Sequence, residues 1–201
     1  VRWLILNHHD TNYNELADLT VSNHTAYCKK HGYDYSMRVC SRSGGGIYDN
    51  MDHQMLLYFL PFYDAVMTIG TDILFMNQDI ALDDIFPISF DQQICDEHIG
   101  GSAYNNDVML WRNAPSTFVL INEIISKKSE YEKYALKWQQ HICDLIRAIN
   151  PLISKMNRVD EHVMNTYPDH WKDGDFILHC YFKNLEEKIK ITKEFIEGVK
   201  L

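Results

Sequence analysis

Apolar runs and polar breaks alternate along the chain in short units. Residues 1–6 (VRWLIL) read as a buried strand, closed by the polar Asn7-His8-His9-Asp10. Thr11 and Asn12 can cap a helix running to about Lys30, with Leu16, Ala17, Leu19, Ala26 and Tyr27 on its apolar face. His31-Gly32 ends that helix, and Tyr33, Tyr35, Met37 and Val39 then alternate as in a half-buried strand. The spacing of Met51, Met55, Leu56, Phe59 and Leu60 predicts a helix over residues 50–63, punctuated by Pro61. Residues 65–69 form a second buried strand. Gly70-Thr71-Asp72 follows, and then the apolar Ile73-Leu74-Phe75-Met76.

The same alternation continues to the other end. Residues 77–87 predict a short acidic helical turn stopped by Pro87, and residues 89–95 a strand. The polar Tyr104-Asn105-Asn106-Asp107 leads into a strand at 108–111, and a helical region runs from Pro115 to about Arg147, broken near 127–133 by its charges. Residues 157–165 read as a helix start with acids in its first turn. Residues 170–175 form a turn, 176–182 a strand holding one histidine, and 184–201 a closing helix with Leu185, Ile189, Phe195, Ile196 and Val199 apolar. Strands alternating with helices predict one α/β domain over residues 1–201 with a mostly parallel sheet.

Composition narrows the functional classes. The chain has 201 residues, 46% hydrophobic and 23% charged, with a formal net charge of −9. That charge argues against a general binder of nucleic acid or anionic membrane, though not against an anionic ligand. Five cysteines, Cys28, Cys40, Cys95, Cys143 and Cys180, are scattered without a CxxC pair, which suits buried free thiols in a reducing, cytoplasmic compartment. No apolar run approaches the roughly 18 residues of a membrane helix. The start at Val1 rather than Met leaves open an upstream anchor or signal.

Single motifs are ambiguous. Asp72 between two apolar runs is either a turn cap or a ligand-facing acid at the carboxyl edge of a sheet. His179 in an apolar strand is either a satisfied core residue or a ligand. Gly44-Gly45-Gly46 lacks the lysine and the spacing of a phosphate-cradling loop and reads as a surface loop. That weakens a nucleotidyltransferase reading, and the His and Cys spacing does not suit zinc.

Four segments in order carry a resemblance. They are His31-Gly32-Tyr33-Asp34-Tyr35; Ile69-Gly70-Thr71-Asp72 with Ile73-Leu74-Phe75-Met76-Asn77; Tyr104-Asn105-Asn106-Asp107 running to Arg112-Asn113-Ala114; and Gly174-Asp175-Phe176-Ile177-Leu178-His179. Asp160-Glu161-His162 stands where a further acidic turn is expected. Together they resemble the family of α-1,2-galactosyltransferases, α-1,6-mannosyltransferases and xyloglucan xylosyltransferases. The resemblance implies a GT-A fold, a Rossmann-like nucleotide-diphospho-sugar transferase architecture. It also implies metal-dependent, retaining transfer of a sugar from a UDP- or GDP-linked donor to a glycan or other hydroxyl acceptor. Mn²⁺ or Mg²⁺ would be held by Asp72 and His179 and would stabilise the departing diphosphate. Asn7, Asp10, Gly70 and Thr71 would face the donor nucleotide with Asp72. Asp160 and Glu161 would stand on the donor's sugar face, and Asn105, Asn106 and Asp107 would bind sugar or acceptor hydroxyls.

The chain departs from that family at three points. Gly70 replaces the first aspartate of the Asp-x-Asp motif, the family's Trp-x-Lys before the motif strand has no match, and His162 stands for Gln or Asp. The alternative is therefore a degenerate GT-A domain that binds nucleotide or sugar without turnover.

Overall fold

A computed structural model describes residues 1–40, 51–96, 104–127, 155–181 and 184–198. Its centre is a six-stranded sheet in the order β2-β1-β3-β6-β5-β7. These are β1 (Trp3–Asp10), β2 (Asp34–Cys40), β3 (Ala65–Ile69), β5 (Gln92–Asp96), β6 (Tyr104–Arg112) and β7 (Met156–Val159). All but β6 run the same way; β6 is antiparallel to both β3 and β5. A separate two-stranded sheet pairs β4 (Ile73–Phe75) antiparallel with β8 (Ile177–His179). Helices α1 (Asn14–His31), α2 (Met51–Phe59), α3 (Leu82–Ile85), α4 (Pro115–Ser126), α5 (Glu161–Met164) and α6 (Leu185–Ile196) surround the sheets. None is long and apolar enough to cross a membrane among the described residues.

The period of two along the strands divides the core. Leu4, Leu6, Val66, Met109 and Trp111 pack on one face with Leu56 and Leu60 and with Leu120, Ile121 and Ile124 of α4. Trp3, Ile5, Ala65, Met67, Ile69, Val108 and Leu110 pack on the other with Tyr27 of α1, Phe75 and Phe176. A third cluster joins Leu74, Leu178 and Cys180 to Ile191, Phe195 and Ile196 of α6. Burying each such large side chain stabilises the fold by about 1.5–3 kcal/mol.

Helix α1 ends as its sequence predicts. Gly32 takes φ 71°, and Tyr33 N–H donates to the Cys28 carbonyl at 2.9 Å. Its start differs: Asp10 is the residue that caps, accepting from Asn12 N–H at 2.7 Å at the head of a 3-10 turn over Thr11–Tyr13. The thiols of Cys28, Cys95 and Cys180 are buried.

Several boundaries are corrected. The polar residues Asn7 to Asp10 continue β1, because β2 keeps pairing with them up to Asp10 opposite Cys40. Tyr104 to Asp107 likewise belong to β6, whose register against β5 shifts between Ile94 and Cys95. The segment expected to start a helix at 157 is instead strand β7, parallel to β5, and only Glu161–Met164 is helical. Residues 89–91 precede β5, and β8 is shorter than the expected strand over 176–182. The expected loop at 41–46 and the helix beyond Lys127 lie outside the described residues.

Candidate active site

Asp72 sits on the turn between β3 and β4, and four hydrogen bonds fix that turn. Asn7 Nδ2 donates to the carbonyls of Ile69 at 3.3 Å and Gly70 at 3.0 Å. Thr71 Oγ1 donates to the His8 carbonyl at 3.3 Å, and Gly70 N–H donates to the Asp107 carbonyl at 2.9 Å. The turn thus gathers the carboxyl ends of β1 and β3 and the start of β6, the edge where open α/β sheets bind ligands.

Strand β4 is held on both sides. On one side Ile73 lies opposite His179, and Cys180 N–H donates to the Asp72 carbonyl at 2.8 Å. On the other, α1 supplies polar side chains that stand in for a strand. Asn23 Nδ2 donates to the Phe75 carbonyl, Phe75 N–H donates to Asn23 Oδ1, and His24 Nε2 meets the Ile73 carbonyl at 2.7 Å. Burial pushes His24 down to about 4, so it is neutral here and donates from Nε2.

The pairing of β4 with β8 brings the two sequence-expected metal ligands together. His179 Nε2 stands 3.5 Å from Asp72 Oδ2 and 3.3 Å from Asp107 Oδ2. A third group is also present: Lys188 of α6 donates from Nζ to Asp72 Oδ2. Burial alone would raise the Asp72 carboxyl, but His179 and Lys188 offset it and hold it well below the usual carboxylate range. Burial lowers His179, and Asp72 and Asp107 more than reverse this. Lys188 is raised in the same way, chiefly by Asp72 against its own desolvation.

Gly70, Thr71, Asp72, Asn106 and Asp107 line a cleft of about 200 Å³, together with His8, His9, Tyr13, His53, Trp111, Tyr181 and Lys188. The other sequence-expected residues are engaged elsewhere. Asn7 is buried and positions the turn, and Asp10 caps the 3-10 turn after β1. Asn105 donates to Tyr167 Oη at 2.9 Å and accepts from Asp107 N–H. Asp160 is the exposed cap of α5, accepting from His162 N–H at 3.0 Å, and Glu161 Oε1 meets His170 Nδ1 at 2.8 Å. Neither Asp160 nor Glu161 lines the cleft.

Lys188, Tyr13 and Tyr181 were not singled out from the sequence. Lys188 had a readable signal. It falls three residues after Leu185 and four before the buried Thr192, on the inward stripe of an amphipathic helix. A lysine there needs a buried anion.

A divalent cation does not fit this constellation. Among the described residues no group of three or more His, Cys, Asp or Glu side chains is disposed to hold a metal ion. The Asp72 oxygen that faces His179 already carries an ammonium. A Cβ at Gly70 would lie 2.9 Å from Asp72 Oδ1, so the place of a second carboxylate is taken by Asp72 itself.

No protein-family model matches the chain, and no curated protein sequence matches it. Solved structures do. A glycosyltransferase involved in glycosylating the major capsid of the virus PBCV-1 superposes with a TM-score of 0.78 at 14% identity, over 96% of this chain and 100% of that one. The galactosyltransferase LgtC, in complex with donor and acceptor sugar analogs, superposes with a TM-score of 0.54 at 12% identity, over 98% and 96%. A mutant Drosophila β1,4-galactosyltransferase 7 in complex with manganese, UDP-Gal and xylobiose gives 0.54 at 17% identity, over 91% and 72%. The chain has the GT-A fold of glycosyltransferases.

Proposed function

We propose that this chain, residues 1–201 forming one catalytic domain, transfers a sugar from a nucleotide-diphosphate donor to a hydroxyl of a glycan or similar acceptor. The observation that carries the reading is the convergence of Asp72, Asp107 and His179 within 3.5 Å at the ligand edge of a glycosyltransferase fold. In transfer, the bond between the anomeric carbon and the diphosphate oxygen breaks, a bond to the acceptor oxygen forms, and the acceptor's hydroxyl proton leaves to the departing diphosphate or to solvent. Positive charge develops on the sugar and negative charge on the departing diphosphate. Asn106 and Asp107 line the cleft, the Asp107 side chain 45% exposed, where sugar and acceptor hydroxyls would lie. The aromatic Tyr13, Trp111 and Tyr181 offer apolar faces to the sugar or base. Asp160 and Glu161 are left out of this reading because neither lines the cleft: Asp160 caps α5, and Glu161 Oε1 meets His170.

Retention of the anomeric configuration follows the family resemblance. The manganese of the Drosophila complex has no counterpart in this reading, since the Asp72–His179 pair carries Lys188. The test is incubation with a panel of UDP- and GDP-sugars, with and without simple glycoside acceptors. Released nucleoside diphosphate is measured, and the product anomer is assigned by NMR. Sugar transfer or donor hydrolysis is expected for at least one donor; a complete absence of both across the panel overturns the reading. Gly70 favours a second reading, a domain that binds donor without turnover. Donor binding by calorimetry with no product from any acceptor selects it.

A further inference from the structure

We propose that the Lys188 ammonium is the resident cation of this cleft and neutralises the donor's diphosphate in place of a divalent metal. The inference rests on the reading of the chain as a nucleotide-sugar transferase and specifies how that site handles charge.

Lys188 is well placed for this. Its side chain is 15% exposed and lines the cleft. The ammonium stands 6.0 Å from the centroid of the Tyr13 ring and 5.7 Å from that of Tyr181, so it is flanked by aromatic surface. An ammonium has three donors, and Asp72 Oδ2 takes one. The remaining N–H groups are available to a ligand in the cleft. A partly desolvated fixed charge acts on an incoming anion more strongly than one in water, and it needs no reorganisation as negative charge develops on a leaving group.

Lys188 and Gly70 meet at one carboxylate. Asp72 Oδ1 fills the space beside Gly70 where a second carboxylate would branch, while Oδ2 faces Lys188 and His179. Restoring an acid at position 70 would crowd the same oxygen and leave the lysine in place.

The experiment is calorimetric titration of the EDTA-treated full chain with UDP and with GDP, repeated in excess MnCl₂, on wild type, Lys188→Met and Lys188→Arg. Mn²⁺ binding is followed separately by the electron paramagnetic resonance of the free ion. One nucleoside diphosphate is expected to bind the EDTA-treated wild type, with an affinity that MnCl₂ changes by less than about threefold. Lys188→Met should weaken that binding by about 100-fold, and Lys188→Arg should keep it within about tenfold of wild type. The free Mn²⁺ signal should be unaltered by the protein.

Binding that requires MnCl₂, or that MnCl₂ strengthens about tenfold or more, overturns the inference while leaving the transferase reading intact. So does Lys188→Met binding as wild type does. Absence of nucleotide binding under every condition overturns the transferase reading, and the inference with it. If Lys188→Met does not unfold cooperatively, the wild-type response to MnCl₂ and the Lys188→Arg affinity decide the matter.

Discussion

Asn23 grips the backbone of Phe75 with both ends of its amide. Nδ2 donates to the Phe75 carbonyl at 3.0 Å, and Oδ1 accepts the Phe75 N–H at 2.8 Å. The side chain thus does for the outer edge of β4 what a neighbouring strand would do. Removing it leaves two buried backbone groups without partners, each costing about 1–3 kcal/mol. Asn23→Leu, which keeps the volume, is expected to lower stability by roughly 2–4 kcal/mol in urea unfolding followed by circular dichroism.

His24, the next residue, makes the same strand sensitive to acid. Its folded pKa is lowered to about 4, against about 6.5 when unfolded, so between these values the unfolded chain binds the proton and the folded chain does not. Its contribution therefore lowers stability as pH falls through that window and does not change it above. By pH 5 the loss is roughly 2 kcal/mol. His24→Gln keeps a donor for the Ile73 carbonyl and removes the titration. The wild-type urea midpoint, measured at pH 7 and pH 5, should fall further than that of the variant.

Asp72 and Lys188 form a buried pair, and removing one leaves the other uncompensated. Asp72→Ala is expected to lose donor binding and to destabilise by roughly 3 kcal/mol. The double variant Asp72→Ala with Lys188→Met should recover much of that stability without recovering binding. A double-mutant cycle on thermal unfolding, set beside nucleotide titration, separates the two effects.

Gly70 is needed for space rather than for backbone freedom. A methyl there would meet Asp72 Oδ1 at 2.9 Å, and Asp72 is held by Lys188 and His179, so it yields poorly. Gly70→Ala should displace the carboxylate and weaken nucleoside diphosphate binding by about tenfold, with a smaller effect on melting. Calorimetry on the purified variant checks this.

The fold was legible because its strands bury alternate faces: Trp3 and Ile5 against Leu4 and Leu6, Val108 and Leu110 against Met109 and Trp111. The strand ends at Asn7 to Asp10 and at Tyr104 to Asp107 were not. A strand that closes on a ligand edge turns polar while its backbone ladder continues, so hydropathy stops short of the hydrogen bonds. Strand β7 read as a helix because Asp160 and Glu161 announce a helix start, and the four residues before them show no apolar face: Met156 alternates with Arg158, and Val159 with Asn157. At the site, Asp72 and His179 could be joined because a resemblance gave them a common role. Lys188 could not, since it meets Asp72 from 116 residues away and belongs to no motif quoted for that role. Asp160 and Glu161 were carried by position in the chain, and their side chains turn to local partners instead.

The small β4–β8 sheet has a bearing on synthesis. Asp72 emerges early, on a turn framed by β1 and β3 and later by β6, yet His179 and Lys188 reach it only through β8 and α6. A nascent chain halted before Ile177 would have all six strands of its large sheet and an unanswered carboxylate at the sheet's edge. The cleft becomes electrically complete only when the chain has extended through Lys188. An intermediate that lacks β8 and α6 therefore has no finished cleft.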